Sequence, residues 1–223
     1  MKILSTLFCL LFTFLINAQN TFYTPDDEYY SNGTNILEYT DSSFVIANTY
    51  YDINVDTDIN GLQLIAFNQN MELIWEERYN INLGGFFING FGTLIRTNDN
   101  GFAFFAFKRV SSYYSHQSYL MKFNNMGVTQ WTRHYGIPQS LEQASQGIQT
   151  SDNHFVFTGW TGENDEGDIY VAKVDSLGNV IWESFLNGFP NVDTYEASRS
   201  IAEDYDGAYI LGGVTGISNW MES

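Results

Sequence analysis

The sequence predicts an all-β protein assembled from a repeated unit of roughly 50 residues. One marker of the repeat is an apolar residue followed eight positions later by tryptophan, at 67–75, 123–131 and 174–182. A second marker is an Asp three residues before an aromatic residue, at Asp41, Asp99, Asp152 and Asp206. Aromatic residues make up 17% of the chain and charged residues only 16%, which favours strands over helices. Two markers that keep one period indicate an array of a single supersecondary unit.

The third unit shows how each repeat divides into four strands. A turn at 151–154 is rich in residues that bond their own backbone. A second turn at 175–179 contains Gly178, which suits a positive φ. A polar loop is expected at 161–167. The expected strands are 147–150, 155–160, 168–174 and 180–185, so each unit is predicted to be a four-stranded antiparallel meander.

Repeated radially, such a meander is a β-propeller blade, and the period lies near that of known blade repeats. We therefore predict a β-propeller-like array of about three and a half repeats. Its predicted units are 33–82, 83–143, 144–197 and a partial unit at 198–223. The array is expected to be incomplete, with missing C-terminal blades. A self-closed four-bladed ring and an open array that pairs with another chain through an edge strand are the alternatives.

Trp75, Trp131 and Trp182 occupy the same place in each complete unit. An indole there can fill the wedge between neighbouring sheets. The alternative is an aromatic platform for sugars. We expect packing, because a residue that recurs in register across repeats is more often a packing element.

Residues 1–19 are predicted to be a cleaved signal peptide. Lys2 supplies the positive start, residues 3–16 are almost wholly apolar, and 17–19 are small or polar. The run is shorter than the roughly 20 apolar residues that span a membrane. We therefore expect a secreted or outer cell-surface protein with no transmembrane segment in its mature chain.

The mature protein is also expected to lack disulfides. Cys9 is the single cysteine, and it lies within the predicted leader. Residues 20–32 are predicted to link the leader to the array. Stability must then come from sheet packing.

The segment from Tyr170 to Trp182, together with residues 206–213, resembles the repeat of secreted bacterial β-propeller proteins exported by the type IX secretion system. The resemblance covers most of residues 33–223, and Ala18-Gln19 matches the end of the leader in such proteins. It implies export and a propeller fold. Such proteins carry a C-terminal sorting domain, which is not seen here and suggests an N-terminal fragment. Most have no assigned activity, so the resemblance leaves the function open.

The first unit departs from this pattern in two places. Ala66 stands where the later units have Lys122 and Lys173, and the turn at 68–71 lacks the glycine found in the later turns. The geometry of the first hairpin is therefore left open.

The formal net charge of −17 limits the classes of partner. Nucleic acid is not expected to bind, because affinity for phosphate backbones depends on neutralising cations. Anionic membrane surfaces are disfavoured for the same reason. Acidic loops that keep a secreted β-protein soluble account for the charge.

Asp56, Asp58 and Asn60 form a weak calcium candidate, because alternating side-chain oxygens before Gly61 match the opening of a calcium loop. The closing glutamate is missing, so any ion would be loosely held and partly hydrated. The corresponding acidic segment of the third unit is 163–168. Solvated acidic loops are the alternative, and no other cofactor is expected.

No catalytic residue is assigned. His116, His134 and His154 lack metal-ligand spacing and an adjacent nucleophile, and we expect them to be exposed turn residues. Paired carboxylates occur, but so acidic a chain produces them by composition alone.

The sequence favours a non-enzymatic secreted or cell-surface module that binds glycan or protein. The observation behind this interpretation is a set of aromatic residues expected in loops: Tyr50, Tyr51, Tyr113 and Tyr114. The alternative is an extracellular hydrolase that uses loop carboxylates near the channel of the propeller.

Overall fold

A computed structural model describes residues 29–52, 60–80, 92–109, 116–137, 140–163, 166–187 and 194–217. These ranges contain fourteen strands and no helix, so the predicted all-β class is confirmed. The strands are β1 (Tyr29–Thr40), β2 (Ser43–Asp52), β3 (Asn60–Asn68), β4 (Leu73–Asn80), β5 (Thr93–Arg96), β6 (Phe102–Arg109), β7 (His116–Phe123), β8 (Thr129–Tyr135), β9 (Glu142–Gln149), β10 (Phe155–Glu163), β11 (Glu166–Val174), β12 (Val180–Leu186), β13 (Thr194–Glu203) and β14 (Tyr209–Ile217).

The strands form antiparallel meanders in chain order. β1–β4 make the first sheet and β5–β8 the second sheet. β9–β12 make a third meander with the same order, and β13 and β14 follow as a hairpin. A single parallel contact between Gly167 and Tyr195 joins this hairpin to the third meander. The predicted four-stranded antiparallel sheets are therefore present.

Several strands extend beyond their predicted limits. β1 begins at Tyr29 and so includes the end of the predicted linker, and β9 begins at Glu142. The predicted polar loop at 161–167 is wrong for most of its length, because Thr161 pairs with Asp168 across the β10–β11 hairpin. Ladder hydrogen bonds use only backbone groups, so a hairpin continues through polar side chains. The described residues of the acidic segment at 163–168 accordingly belong to the two strands of this hairpin.

Strand β6 is buried on both of its faces. Phe102 and Phe104 point into a core shared with the first sheet, whereas Ala103 and Phe105 point into a core shared with the third meander. All four side chains are fully buried. Because both faces are covered, the strand is a continuous apolar run instead of an alternating one. The sheets therefore stack face to face in chain order.

The two sequence markers of the repeat meet at each interface between sheets. Each tryptophan of an outer strand contacts the aromatic residue that opens the second strand of the next sheet or hairpin. The ring centroids lie 6.3 Å apart for Trp75 and Phe102, 6.1 Å for Trp131 and Phe155, and 6.0 Å for Trp182 and Tyr209. The three indoles thus lie in equivalent surroundings, as the sequence predicts.

A tyrosine on the same outer strand holds the hairpin turn of the following sheet. Tyr135 Oη donates a hydrogen bond to the carbonyl oxygen of Gly178 at 3.0 Å, and Tyr79 Oη donates to the carbonyl oxygen of Gly127. Both glycines have positive φ, 79° at Gly127 and 81° at Gly178. A Cβ on Gly178 would lie 2.9 Å from the ring of Trp131. Glycine is thus required by the backbone conformation and by the indole beneath it.

The first sheet shows what the turn looks like without that requirement. Met71 takes a φ of 63°, and its turn keeps the backbone hydrogen bonds of the later ones. Its side chain is 37% exposed, because no sheet precedes the first one among the described residues. The β3–β4 hairpin therefore has the same turn geometry as the later hairpins. It can have Met71 in place of glycine because no described tryptophan packs against this turn.

Gly178→Ala should lower the free energy of unfolding more than Gly207→Ala. Both glycines have a φ of 81°, so each substitution carries the left-handed backbone penalty of about 1–2 kcal/mol. A Cβ at Gly207 meets nothing within 4 Å, whereas one at Gly178 must displace Trp131. Urea unfolding of the two variants measures the difference, and equal losses would contradict the proposed packing of the turn.

Candidate functional site

The calcium candidate of the sequence lies mostly outside the described residues. Asp56 and Asp58 fall in the gap between β2 and β3, and Asn60 is the first residue of β3, where its backbone pairs with Tyr51. Elsewhere in the described ranges, no group of three or more His, Cys, Asp or Glu side chains is placed to hold a metal ion. The calcium site stays a prediction.

The aromatic residues expected in loops do not form an exposed platform at Tyr50. This residue lies in β2, only 4% exposed, and its Oη donates to Asn80 Oδ1 at 2.6 Å. Its ring covers Gly61 on the neighbouring strand, where a Cβ would lie 2.4 Å from the ring. The expectation for Tyr50 is therefore wrong. Tyr113 and Tyr114 lie outside the described residues.

The histidines are not all turn residues. His116 opens β7 and His134 lies in β8, where its ring contacts Tyr119 at 4.8 Å. Burial lowers the pKa of His134, and the nearby charge of Lys108 lowers it further. His154 lies in the turn before β10. These positions give the histidines local packing roles.

Glu142 is fully buried and has a raised pKa. Burial raises the pKa, while hydrogen bonds from the Ile137 backbone and the Ser140 and Thr161 side chains oppose that effect. The Thr161 hydroxyl lies 3.3 Å from Glu142 Oε1. A carboxylate closed off from solvent in this way is not accessible to a polymeric substrate.

The most distinctive surface of the described chain is the free edge of β14. This strand pairs with β13 on one side and has no strand partner on the other within the described ranges. Its equivalents β6 and β10 are paired on both sides. Ile210 is 61% exposed, whereas Ala103 and Val156 at the equivalent positions are fully buried. Val214, further along β14, is 49% exposed.

The composition of β14 differs from that of the other edge strands. Its sequence, YILGGVTGI, carries no charged residue. Strand β4, at the edge of the first sheet, carries Glu76, Glu77 and Arg78. Charged side chains ordinarily protect an exposed edge from pairing with another chain. Strand β14 lacks this protection.

In the second sheet and the third meander, a lysine of the third strand fastens the first hairpin turn. Lys122 is 4% exposed, and its Nζ donates to Asp99 Oδ2 at 2.8 Å and to Gln130 Oε1 at 3.1 Å. Lys173 Nζ donates to Asp152 Oδ2 at 2.7 Å. We call these two pairs the lysine clamps. They recur because the sequence markers recur.

The clamps hold their aspartates ionised. Burial would raise the pKa of Asp99, but hydrogen bonds from Lys122, Thr97 and the Gly101 backbone outweigh it, and the pKa lies below its ordinary value. The hydrogen bond from Lys173 is the main reason that the pKa of Asp152 is also lowered. An aspartate at this place in the repeat therefore favours an ammonium partner.

Asp206 occupies the same place in the β13–β14 hairpin. The turn at 204–208 repeats the backbone hydrogen bonds of the turns that hold Asp99 and Asp152. Here, however, Asp204 Oδ1 accepts two backbone N–H groups of the turn, each at 2.9 Å. The Asp206 carboxylate is left for another donor, and no described lysine or arginine pairs with it.

Strand β12 supplies a neighbouring apolar face. Trp182 contacts Tyr209, and Leu186, which is 42% exposed, stands where the preceding outer strands have Tyr79 and Tyr135. No glycine turn lies against Trp182 in the described part of the chain. The free edge of β14, the Asp206 carboxylate and the β12 face with Trp182 and Leu186 together are called the edge site.

The chain matches no protein-family model and no curated protein sequence. Across its described ranges, the chain has no helix with the length and hydrophobicity needed to cross a membrane.

Lys122→Met should make the stability of the protein less sensitive to acid. Asp99 has a lowered pKa in the folded state, so its contribution is complete above the ordinary value of 3.8 and is lost as the pH falls through the folded value. Without Lys122, only the hydrogen bonds from Thr97 and the Gly101 backbone still lower the pKa, so the contribution of Asp99 at neutral pH is smaller and there is less to lose in acid. Urea unfolding across the acid range measures the slope, and Asp99→Asn should give the same shallow profile. Parallel curves for the variant and the wild type would contradict the clamp.

Glu142→Gln should raise the stability of the protein at neutral pH, because Glu142, unlike Asp99, has a raised pKa in the folded state. A raised pKa in the folded state means that the protonated form is favoured there, so stability is present below the ordinary value of 4.5 and is lost as the pH rises. Glutamine keeps an acceptor for Thr161 and removes the buried charge. We expect a higher melting temperature at neutral pH and no gain in acid, whereas Glu142→Ala should lose stability at both. A lower melting temperature for Glu142→Gln at neutral pH would contradict this account.

Proposed function

We propose that this chain is a secreted or cell-surface β-propeller repeat protein without enzymatic activity, and that it binds a protein ligand at the edge site. The observation that carries the proposal is the edge of β14, which carries no charged residue and has no strand partner among the described residues, beside an aspartate that pairs with no described lysine. An extended polypeptide adds to such an edge through main-chain hydrogen bonds, while side-chain pockets give specificity.

Contacts between the first strands of consecutive sheets support the propeller arrangement. Asn35 Oδ1 of β1 accepts the backbone N–H of Leu94 in β5 at 2.8 Å. Gln146 Oε1 of β9 accepts the backbone N–H of Ile201 in β13 at 2.7 Å. These hydrogen bonds join a side-chain amide on one first strand to the backbone of the next first strand, without backbone pairing between the two strands. Such contacts are expected where sheets converge on one axis.

Export is supported by the sequence alone. The apolar run at 3–16, the small or polar residues at 17–19 and the resemblance to type IX secretion substrates all indicate a leader that is removed. The acidic composition suits a soluble extracellular protein.

A protein ligand is favoured over a glycan. The edge site offers backbone hydrogen-bonding groups, a carboxylate and aliphatic side chains, which match an added strand. Of the aromatic residues that the sequence offers for a glycan, Tyr50 is buried, and the exposed ring nearest to β14 is the single Tyr205, which is 96% exposed in the turn before that strand. The buried position of Glu142 gives no support to the hydrolase alternative.

A photo-crosslinking amino acid at Val214 should capture the ligand, whereas the same amino acid at Leu73 should not. The two positions are 49% and 52% exposed, and both lie on edge strands, but the edge of β4 is charged. The experiment uses protein exported by the producing cells, with crosslinked peptides identified by mass spectrometry. One defined protein joined at position 214 and absent from position 73 is the expected result.

Equal capture at the two positions, or none at Val214, would contradict the proposal. Binding to a defined oligosaccharide on a glycan array, abolished by Val214→Lys, would replace the protein ligand by a glycan.

A further inference from the structure

The charges of the chain are unevenly distributed along its sequence. Residues 81–141, which include the whole second sheet, contain five of the nine lysines and arginines but only one of the 26 acids, Asp99. Lys122 already binds this acid in its clamp. The other cations of the second sheet therefore have no carboxylate partner within this segment, although the protein as a whole is strongly acidic.

Two basic side chains of the second sheet flank Tyr119, which lies in the strand between them. Lys108 Nζ of β6 lies 5.5 Å from the centre of the Tyr119 ring, and the ring of His134 in β8 lies 4.8 Å from it. Tyr119 is only 4% exposed, whereas Lys108 is half-buried and His134 is exposed. The buried ring thus supports both side chains at the surface. We call these three residues the Tyr119 site.

The first sheet and the third meander carry a glutamate at the corresponding place. Arg78 and His134 each lie three residues after the tryptophan of their outer strand. Arg78 Nε donates to Glu76 Oε1 at 2.9 Å, and Glu76 directly follows the tryptophan. In the third meander Glu183 has this position, and it accepts a hydrogen bond from Tyr170 Oη. The repeat therefore places a carboxylate beside this part of its third strand.

The second sheet lacks that carboxylate. Thr132 directly follows the tryptophan here, and its side chain hydrogen bonds with Tyr119. No described carboxylate forms an ion pair with Lys108 or His134. The Tyr119 site thus has the basic side chains of this place in the repeat without the acid that accompanies them elsewhere.

We infer that the Tyr119 site binds a carboxylate group of a ligand, which takes the place of the missing glutamate. Lys108 and the protonated His134 donate charge-assisted hydrogen bonds to it. The site goes beyond the proposed function, because it lies on the second sheet and is separate from the edge site. Its neighbours on both sides are described sheets, so its exposure does not depend on β14.

The surroundings of the site favour a ligand with a single carboxylate. The rest of the chain has 25 acids and only four lysines and arginines. A polymer with a carboxylate on every residue would be repelled wherever it leaves the site. Physiological salt confines such repulsion to about 8 Å, so an isolated carboxylate can reach the Tyr119 site.

Binding of a carboxylate should change the titration of His134. Burial and the charge of Lys108 lower the pKa of this histidine in the free protein. A carboxylate beside the ring favours the protonated imidazole. The pKa of His134 should therefore rise from below its ordinary value of 6.5 to above it.

NMR titration of the histidines in the purified protein tests the inference, with sodium acetate and sodium glucuronate as probes. Sodium chloride of equal ionic strength is the reference, because salt alone screens the charge of Lys108. We expect both probes to raise the pKa of His134 and to leave that of His154 unchanged. Tighter binding of glucuronate would identify an acidic sugar as the ligand, and equal binding a ligand recognised through its carboxylate alone.

Two substitutions separate binding from a structural effect. Lys108→Met keeps an aliphatic side chain over Tyr119 and should weaken binding of both probes about tenfold. Thr132→Glu restores the glutamate of the other sheets. It should raise the pKa of His134 without any probe and abolish the response to acetate.

Arg96→Met is the matched control, since Arg96 is an exposed cation at the opposite end of the same sheet. It should leave binding of both probes unchanged. Circular dichroism of each variant confirms that the fold is retained.

The inference is overturned if the pKa of His134 is the same in acetate, glucuronate and chloride, or if wild type and Lys108→Met respond equally. Should Lys108→Met fail to fold, the titrations of wild type and Thr132→Glu still decide. Crosslinking at Val214 tests the edge site separately, so either site can fail without the other.

Discussion

The structure depends on one contact that is repeated at every interface between sheets: the indole of an outer strand lies against the aromatic residue that opens the next sheet's second strand. Around it, the tyrosine of the same strand donates to a glycine carbonyl, and two faces of each inner strand are filled with aromatic and aliphatic side chains. The chain contains a single cysteine, so no internal disulfide can replace this packing. Burial of aromatic surface is what keeps one meander on the next.

In the second sheet and the third meander, a lysine of the third strand brings a charge into this packing. The buried Lys122 is acceptable between apolar sheets because its ammonium reaches a carboxylate, a side-chain amide and a backbone carbonyl. The pair fastens the first hairpin turn of a sheet to its third strand. Where the third strand has Ala66 instead, the first sheet packs without the clamp. The clamp is therefore a feature of the repeat that the first sheet lacks. In the β13–β14 hairpin, Asp206 is present at the position of the clamp aspartate, but no described lysine pairs with it.

The sequence predicted the class and the repeat because both are encoded locally. Trp75 and its equivalents and the Asp markers keep their spacing, and strands that are buried on both faces appear as apolar runs such as the start of β6. Prediction from the sequence failed where the neighbouring strand decides whether a residue pairs in a ladder or is buried. Thr161 continues a ladder although its surroundings are polar, and Tyr50 is buried because Gly61 leaves room for its ring. An open edge was among the alternatives that the sequence predicted, but the residues of the edge site were not, since the exposure of Ile210 depends on which strands lie beside it.

The interface between consecutive sheets is also asymmetric. One surface presents an indole and a phenol, and the other presents a turn and the aromatic residue that opens a strand, so the two surfaces are complementary but different. An interface of this heterologous kind joins head to tail, and repetition of it closes a ring or continues without limit. Duplication of one unit in tandem reproduces both surfaces at once. Such an array can therefore lengthen by gene duplication without inventing a new interface.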